Sequence, residues 1–134
     1  MKLALVSPAA ERQERRDRLR RDRAAAPALR VVFPALQQLR LELLFQGSAS
    51  STPAPQSHVL HPPARAFFEF PCPYADCDGQ FDLTAAVGAA LADSEHRAEG
   101  ALECSGKRAW HIGSKQPCQL RLIYTVTATC QQNA

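Results

Sequence analysis

A chain of 134 residues has room for one domain with attached arms rather than two, and a domain of that size gains from staples such as metal ions because it buries only a modest share of its surface. Its apolar runs stay far short of the about 18 residues that a membrane helix needs, which argues against a membrane protein. The net charge of +3 is uneven: residues 1–30 hold nine Lys/Arg against four Asp/Glu, so the basicity belongs to an N-terminal arm and the rest of the chain is net acidic.

The apolar stretch at the start, Leu3 to Val6, is too short for the core of a signal peptide, and a dense charged block follows it. The expected location is therefore the cytoplasm, with no membrane partner. Residues 10–26, AERQERRDRLRRDRAAA, suit a helix. Glu11/Arg15, Glu14/Arg18 and Asp17/Arg21 stand four apart with the acid first, the better orientation. Leu19 is nearly its only large apolar residue, so this arm has no evident face to bury and reads as a solvated, frayed or partner-bound segment.

Pro27 ends the arm. Residues 31–134 form the expected domain. Pro34 can open a short helical turn over Pro34–Gln38. From Leu39 the pattern alternates: Leu39, Leu41, Leu43 and Phe45 share one face, as in a half-buried strand. Residues 47–63, GSASSTPAPQSHVLHPP, read as a Ser/Pro-rich loop, mobile or draped over the core in extended form. His58 and His61 lie within it and read as solvated rather than as metal ligands.

A second strand runs to Cys72, with Ala66, Phe68 and Phe70 on one face. CPYADCDGQFDL then shows turn chemistry throughout. Asp82 can cap a helix over Leu83–Glu95 whose apolar stripe is Leu83, Val87, Ala90 and Leu91; Gly88 is a weak point in it or a close packing contact. Residues 98–104 alternate again, residues 105–117 read as a polar loop, and QLRLIYTVTATC is a β-branched strand. The expected fold is α+β: a small, mainly antiparallel sheet with one helix and a charged helical arm.

Five cysteines are too many for two disulfides and one too few for three, and reducing surroundings favour metal over disulfide. Cys72 and Cys77 flank a turn, and Cys104 and Cys118 flank a loop. Four thiolates carried by two turns at strand ends would hold Zn2+ tetrahedrally, as in a zinc ribbon. Cys118 and Cys130 sit at opposite ends of the last strand, about 40 Å apart if it is straight, so Cys130 cannot share the ion; it reads as a small buried hydrophobe. His111, in the same loop as Cys118, competes with it for the fourth position. A closed four-sulfur site has no place for water, which makes the zinc structural.

CPYADCDGQFDL, followed by CSGK and a strand such as QLRLIYTV, resembles a family of small, uncharacterised bacterial zinc-ribbon-like proteins. The resemblance spans roughly residues 31 to 130 and implies a fold and a metal but no activity.

No catalytic constellation stands out. Cys104 with His111 would need a third, orienting group that the sequence does not offer. The expected role is a zinc-stabilised, non-enzymatic binding or adaptor protein with a protein partner. The alternative is association with RNA or the ribosome. In either case the candidate contacts are Arg12, Arg15, Arg16, Arg20 and Arg23 of the arm, with Lys107 and Arg108. Lys107 and Arg108 would also offset part of the charge of a tetrathiolate site.

Overall fold

The alternation of Leu39–Phe45 and the β-branched run after Cys118 become the two longest strands of the protein, and they pair with each other. The computed structural model describes residues 8–47, 52–109 and 115–131. β1 (Leu36–Gln46) and β8 (Arg121–Cys130) are the centre of a four-stranded antiparallel sheet of order β2-β1-β8-β5. β2 is Gln56–Leu60 and β5 is Arg97–Glu103. Leu39, Leu41, Leu43 and Phe45 from β1 and Leu122, Val126 and Ala128 from β8 all face the core. The helix α3 (Thr84–Ala92) turns Ala86, Val87 and Ala90 inward and packs on β5 and β8. The fold is thus α+β with a mainly antiparallel sheet, as the sequence pattern implies.

Several boundaries differ from the sequence reading, each for a local reason. The helical turn lies before Pro34, as α2 (Leu29–Val32), not over Pro34–Gln38. A residue preceding proline is pushed out of the helical region, so a turn ending ahead of Pro34 is the easier solution. β1 then starts at Leu36, three residues before the regular alternation. Its register against β8 shifts between Leu36 and Gln38, and this irregularity lets Leu36 and Leu39, an odd number of residues apart, both face inward.

The Ser/Pro-rich stretch 47–63 contains β2, an edge strand paired with Leu39–Leu43. The cysteine turn also holds β4 (Gln80–Asp82), which pairs with β3 (Glu69–Pro71). The polar loop between Cys104 and Cys118 contains β6 (Lys107–Ala109) and β7 (Lys115–Pro117), paired as a hairpin. The Asp82 carboxylate accepts from both the N–H and the hydroxyl of Thr84, at 2.9 and 2.6 Å, but the N-cap is Leu83, without a side-chain cap bond, so Asp82 stands one residue ahead of the cap position expected for it and α3 spans Thr84–Ala92 rather than Leu83–Glu95. Gly88 is not a packing contact, since an added Cβ would meet nothing within 4 Å.

The arm is an 18-residue helix, α1 (Pro8–Ala25), and it is docked rather than solvated all round. Leu19 is buried, and Arg12, Arg16 and Arg23 lie half-buried on the same stripe. The Arg23 guanidinium sits 5.3 Å from the ring centre of Phe67 and 5.9 Å from that of Phe70. Arginine can bury its stem and ring-facing plane while its edges stay polar, so a helix with one leucine still finds a face to dock. On the outer side Asp17 pairs with Arg20 and Glu14 with Arg21, in place of the Asp17/Arg21 and Glu14/Arg18 pairs. Past Pro27 the chain is stitched to residues 62–66: Leu29 N–H donates to Ala64 and Ala66 N–H to Pro27, at 2.8 and 2.7 Å.

Candidate metal centre

Cys72 leaves β3 and Cys77 precedes β4, so one short hairpin delivers two thiols. Cys104 follows β5, and Cys118 lies between β7 and β8. All four are buried, and their Sγ atoms lie within 4.8 Å of one another. Cys72 Sγ is 3.9 Å from Cys118 Sγ, and Cys77 Sγ is 3.6 Å from Cys104 Sγ. A tetrahedron of sulfurs around zinc, with about 2.3 Å to each, has edges of about 3.8 Å. The cluster therefore has the donor type, number and spacing to hold a metal ion such as zinc.

Backbone groups support the sulfurs in matching fashion from both sides. Gly79 N–H points at Cys77 Sγ at 3.3 Å, and Gly106 N–H at Cys104 Sγ at 3.4 Å. Cys72 N–H donates to the Gly79 carbonyl at 3.0 Å, and Cys118 N–H to the Gly106 carbonyl at 2.9 Å. Each half is thus a C-x-G turn, Cys77–Asp78–Gly79 or Cys104–Ser105–Gly106, closed by the other cysteine of its pair. The halves are joined by reciprocal bonds: Asp78 N–H to the Lys107 carbonyl at 3.2 Å, and Lys107 N–H to Asp78 Oδ1 at 2.7 Å. The repeated C-x-G was the signal for this arrangement in the sequence.

Crowding four thiols makes them unequal. Hydrogen bonds from the Cys72 and Cys77 thiols pull the Cys104 pKa down. The Cys72 thiol is pushed up by its bonds with Cys104 and Cys77, then by burial; the Cys77 thiol goes up mainly through Cys104, and the Cys118 thiol mainly through burial. A divalent cation at this point would replace these mutual hydrogen bonds by deprotonating the coordinating thiols.

Arg108 stands beside this centre. Its guanidinium lies 3.9 Å from the ring centre of Tyr74, and its Nε donates to Asp76 Oδ1 at 2.9 Å. It is close enough to Cys118 to feel its charge. Its direct charge partner is Asp76. Lys107 contributes its backbone, while its side chain is exposed. Of the arm arginines, Arg16 donates to the Tyr74 carbonyl at 3.3 Å and Arg23 to that of Glu69 at 3.3 Å. Arg15 and Arg20 face outward, and Arg12 is half-buried.

Cys130 pairs opposite Leu36 at the far end of β8, outside the cluster and only partly buried. His58 is occupied elsewhere: its ring lies 4.7 Å from that of Phe70, and its Nε2 is 3.0 Å from Gln56 Oε1. His111, with Trp110 and Ser114, lies outside the described residues. Among the described residues no helix is long and apolar enough to cross a membrane.

The chain matches no protein-family model, and no curated protein or solved structure aligns with it.

Proposed function

We propose that this chain is a zinc-stabilised, non-enzymatic binding module of zinc-ribbon type. The observation that carries the reading is the set of four buried sulfurs, all within 4.8 Å of one another, with backbone N–H groups aimed at two of them. Four protein sulfurs complete the coordination of zinc and leave no position for a water or substrate, so the ion holds the fold and performs no chemistry. With the ion in place the Cys104 sulfur is a buried metal ligand and not a free nucleophile. A tetrathiolate site also needs reducing surroundings, which favours the cytoplasm.

In this reading the partner is a protein. Three arm arginines, Arg12, Arg16 and Arg23, are half-buried on the docked face of α1, and Arg108 is stacked on Tyr74 and paired with Asp76. That removes much of the cationic surface on which RNA or ribosome binding would rest. Val31 and Val32 stand exposed in α2, at 68% and 43% of their free surface, and offer an apolar contact instead.

Metal analysis of the wild type and a Cys118→Ser variant tests the site, with one zinc per chain expected in the first and a large loss in the second. A gel shift at low salt tests the partner class. Firm RNA binding that is lost when Arg15 and Arg20 are reversed to glutamate would move the reading to nucleic acid.

A further inference from the structure

A second site lies on the other side of Cys72. α1, β2, β3 and the segment around Arg65 enclose a cavity of about 470 Å³, within the range of about 300–1,000 Å³ usual for small-molecule sites. Three guanidiniums, those of Arg16, Arg23 and Arg65, line it together with His58, and no carboxylate does so among the described residues.

Each guanidinium is positioned by one backbone carbonyl. Arg16 donates to Tyr74, Arg23 to Glu69 and Arg65 to Ala26, at 3.3, 3.3 and 3.0 Å. Among the described residues none of the three forms an ion pair. A guanidinium has five N–H donors, so one carbonyl leaves most of its capacity unused. Three like charges facing one cavity repel, and an anion between them relieves that repulsion.

The rest of the wall is mainly apolar, with Phe67, Phe70, Leu60 and the prolines at 71 and 73, and it also includes Gln56 and the metal-site residue Cys72. Arg23 is held in place over both rings. Planar guanidinium forks match the oxygens of phosphate, and several of them suit a dianion better than a single carboxylate.

We infer that this cavity binds a small organic phosphate, its phosphoryl group held by guanidiniums of the lining arginines and its organic part against Phe67 and Phe70. Nothing in the metal site depends on this, so the two can fail separately.

The test is NMR titration of the full-length, metal-loaded protein at low salt with phenyl phosphate, inorganic phosphate and benzoate, following the His58 ring and the amides of β2 and β3. Phenyl phosphate is expected to give saturable shifts, with affinity at least about fivefold above inorganic phosphate and above benzoate. Arg65→Gln, at the exposed rim, is expected to weaken it about tenfold. Arg20→Gln, on the outer face of α1, should leave it unchanged. Arg16 and Arg23 tether α1 along its docked face and Arg65 bonds only the Ala26 carbonyl just past its end, so Arg65 carries the test, with unchanged α1 amide shifts in ligand-free Arg65→Gln as its control. Absence of saturable shifts up to about 10 mM phenyl phosphate overturns the inference. So do equal losses in Arg65→Gln and Arg20→Gln, which would mark diffuse charge attraction. Equal affinity for phenyl and inorganic phosphate would overturn the assignment of an organic ligand.

Discussion

Gly79 and Gly106 touch backbone to backbone, one from each half of the cysteine cluster. A Cβ added to Gly79 would stand 2.9 Å from Gly106 Cα and would overlap Cys104 Sγ, and one added to Gly106 would overlap the Gly79 backbone. No side chain fits between the two turns. Gly79→Ala and Gly106→Ala are each expected to force the halves apart, destabilising the metal-loaded protein by about 1–3 kcal/mol and weakening its hold on zinc. Competition with a colorimetric chelator measures the second effect. Wild-type affinity in both variants would show that the contact is incidental.

Gly88 gives the opposite result. It lies exposed in the middle of α3 with open space where a Cβ would go. Gly88→Ala is expected to stabilise the protein by about 0.5–1 kcal/mol, because alanine loses less backbone freedom on entering a helix. Urea unfolding of the metal-loaded protein measures this; a loss of stability would mean that α3 packs differently.

Leu19 anchors α1. Leu19→Ala removes the buried side chain of a helix otherwise held by arginines on aromatic rings and backbone carbonyls. Docking is expected to loosen by on the order of 2 kcal/mol. Amide exchange in the α1 segment should then rise about thirtyfold, with β1 and β8 unaffected. Unchanged exchange in α1 would mean that Arg16 and Arg23 suffice to hold it.

His58 supplies a pH dependence. Burial, and then the charge of Arg23, hold its pKa below the ordinary imidazole value. Arg16 and Arg23 from α1 and Arg65 from the following segment surround its cavity, Gln56 bonds it from its own strand, and Glu69 lies on β3 next to Phe70. The unfolded chain takes up this proton at a higher pH than the folded one. The associated stability is therefore complete above about pH 6.5 and is lost as pH falls through the lower folded value. Melting temperatures of wild type and His58→Gln from neutral to mildly acidic pH should converge as pH falls, apart from the acid loss common to both through the cysteines. Parallel curves would contradict this.

The main strands and the cysteine set were legible because they rest on long-range regularities. Alternation over Leu39–Phe45 and Leu120–Ala128 fixes which face is buried, and strand length alone separates Cys130 from Cys118. The short pairings were not legible. β2 has five residues inside a proline-rich stretch, and β4, β6 and β7 have three each, too few for a period to show; β3 falls within the strand read over residues 64–72, but only Glu69–Pro71 pair. What makes them strands is tertiary: an edge of β1 to pair with, or a turn that the sulfurs close. The docking of α1 was hidden for a different reason. A hydrophobic pattern counts Leu19 and passes over Arg16, bonded to the Tyr74 carbonyl, and Arg23, set over Phe67 and Phe70, all partners more than forty residues away in sequence. The C-x-G repeat at Cys77 and Cys104 was visible, but its meaning needed the two glycines side by side.

The most direct test of the metal centre is to measure bound metal and then remove it. The full chain purified under reducing conditions should carry one zinc per molecule by mass spectrometry. Such sites contribute apparent free energies of about 10–16 kcal/mol in peptides, as much as or more than the about 5–15 kcal/mol that holds a typical domain together. Chelation should therefore collapse the dispersed amide NMR signals of at least residues 66–130 and the sheet signal in circular dichroism, and added zinc should restore both. Spectra that are unchanged once the zinc is gone would contradict a metal-pinned fold.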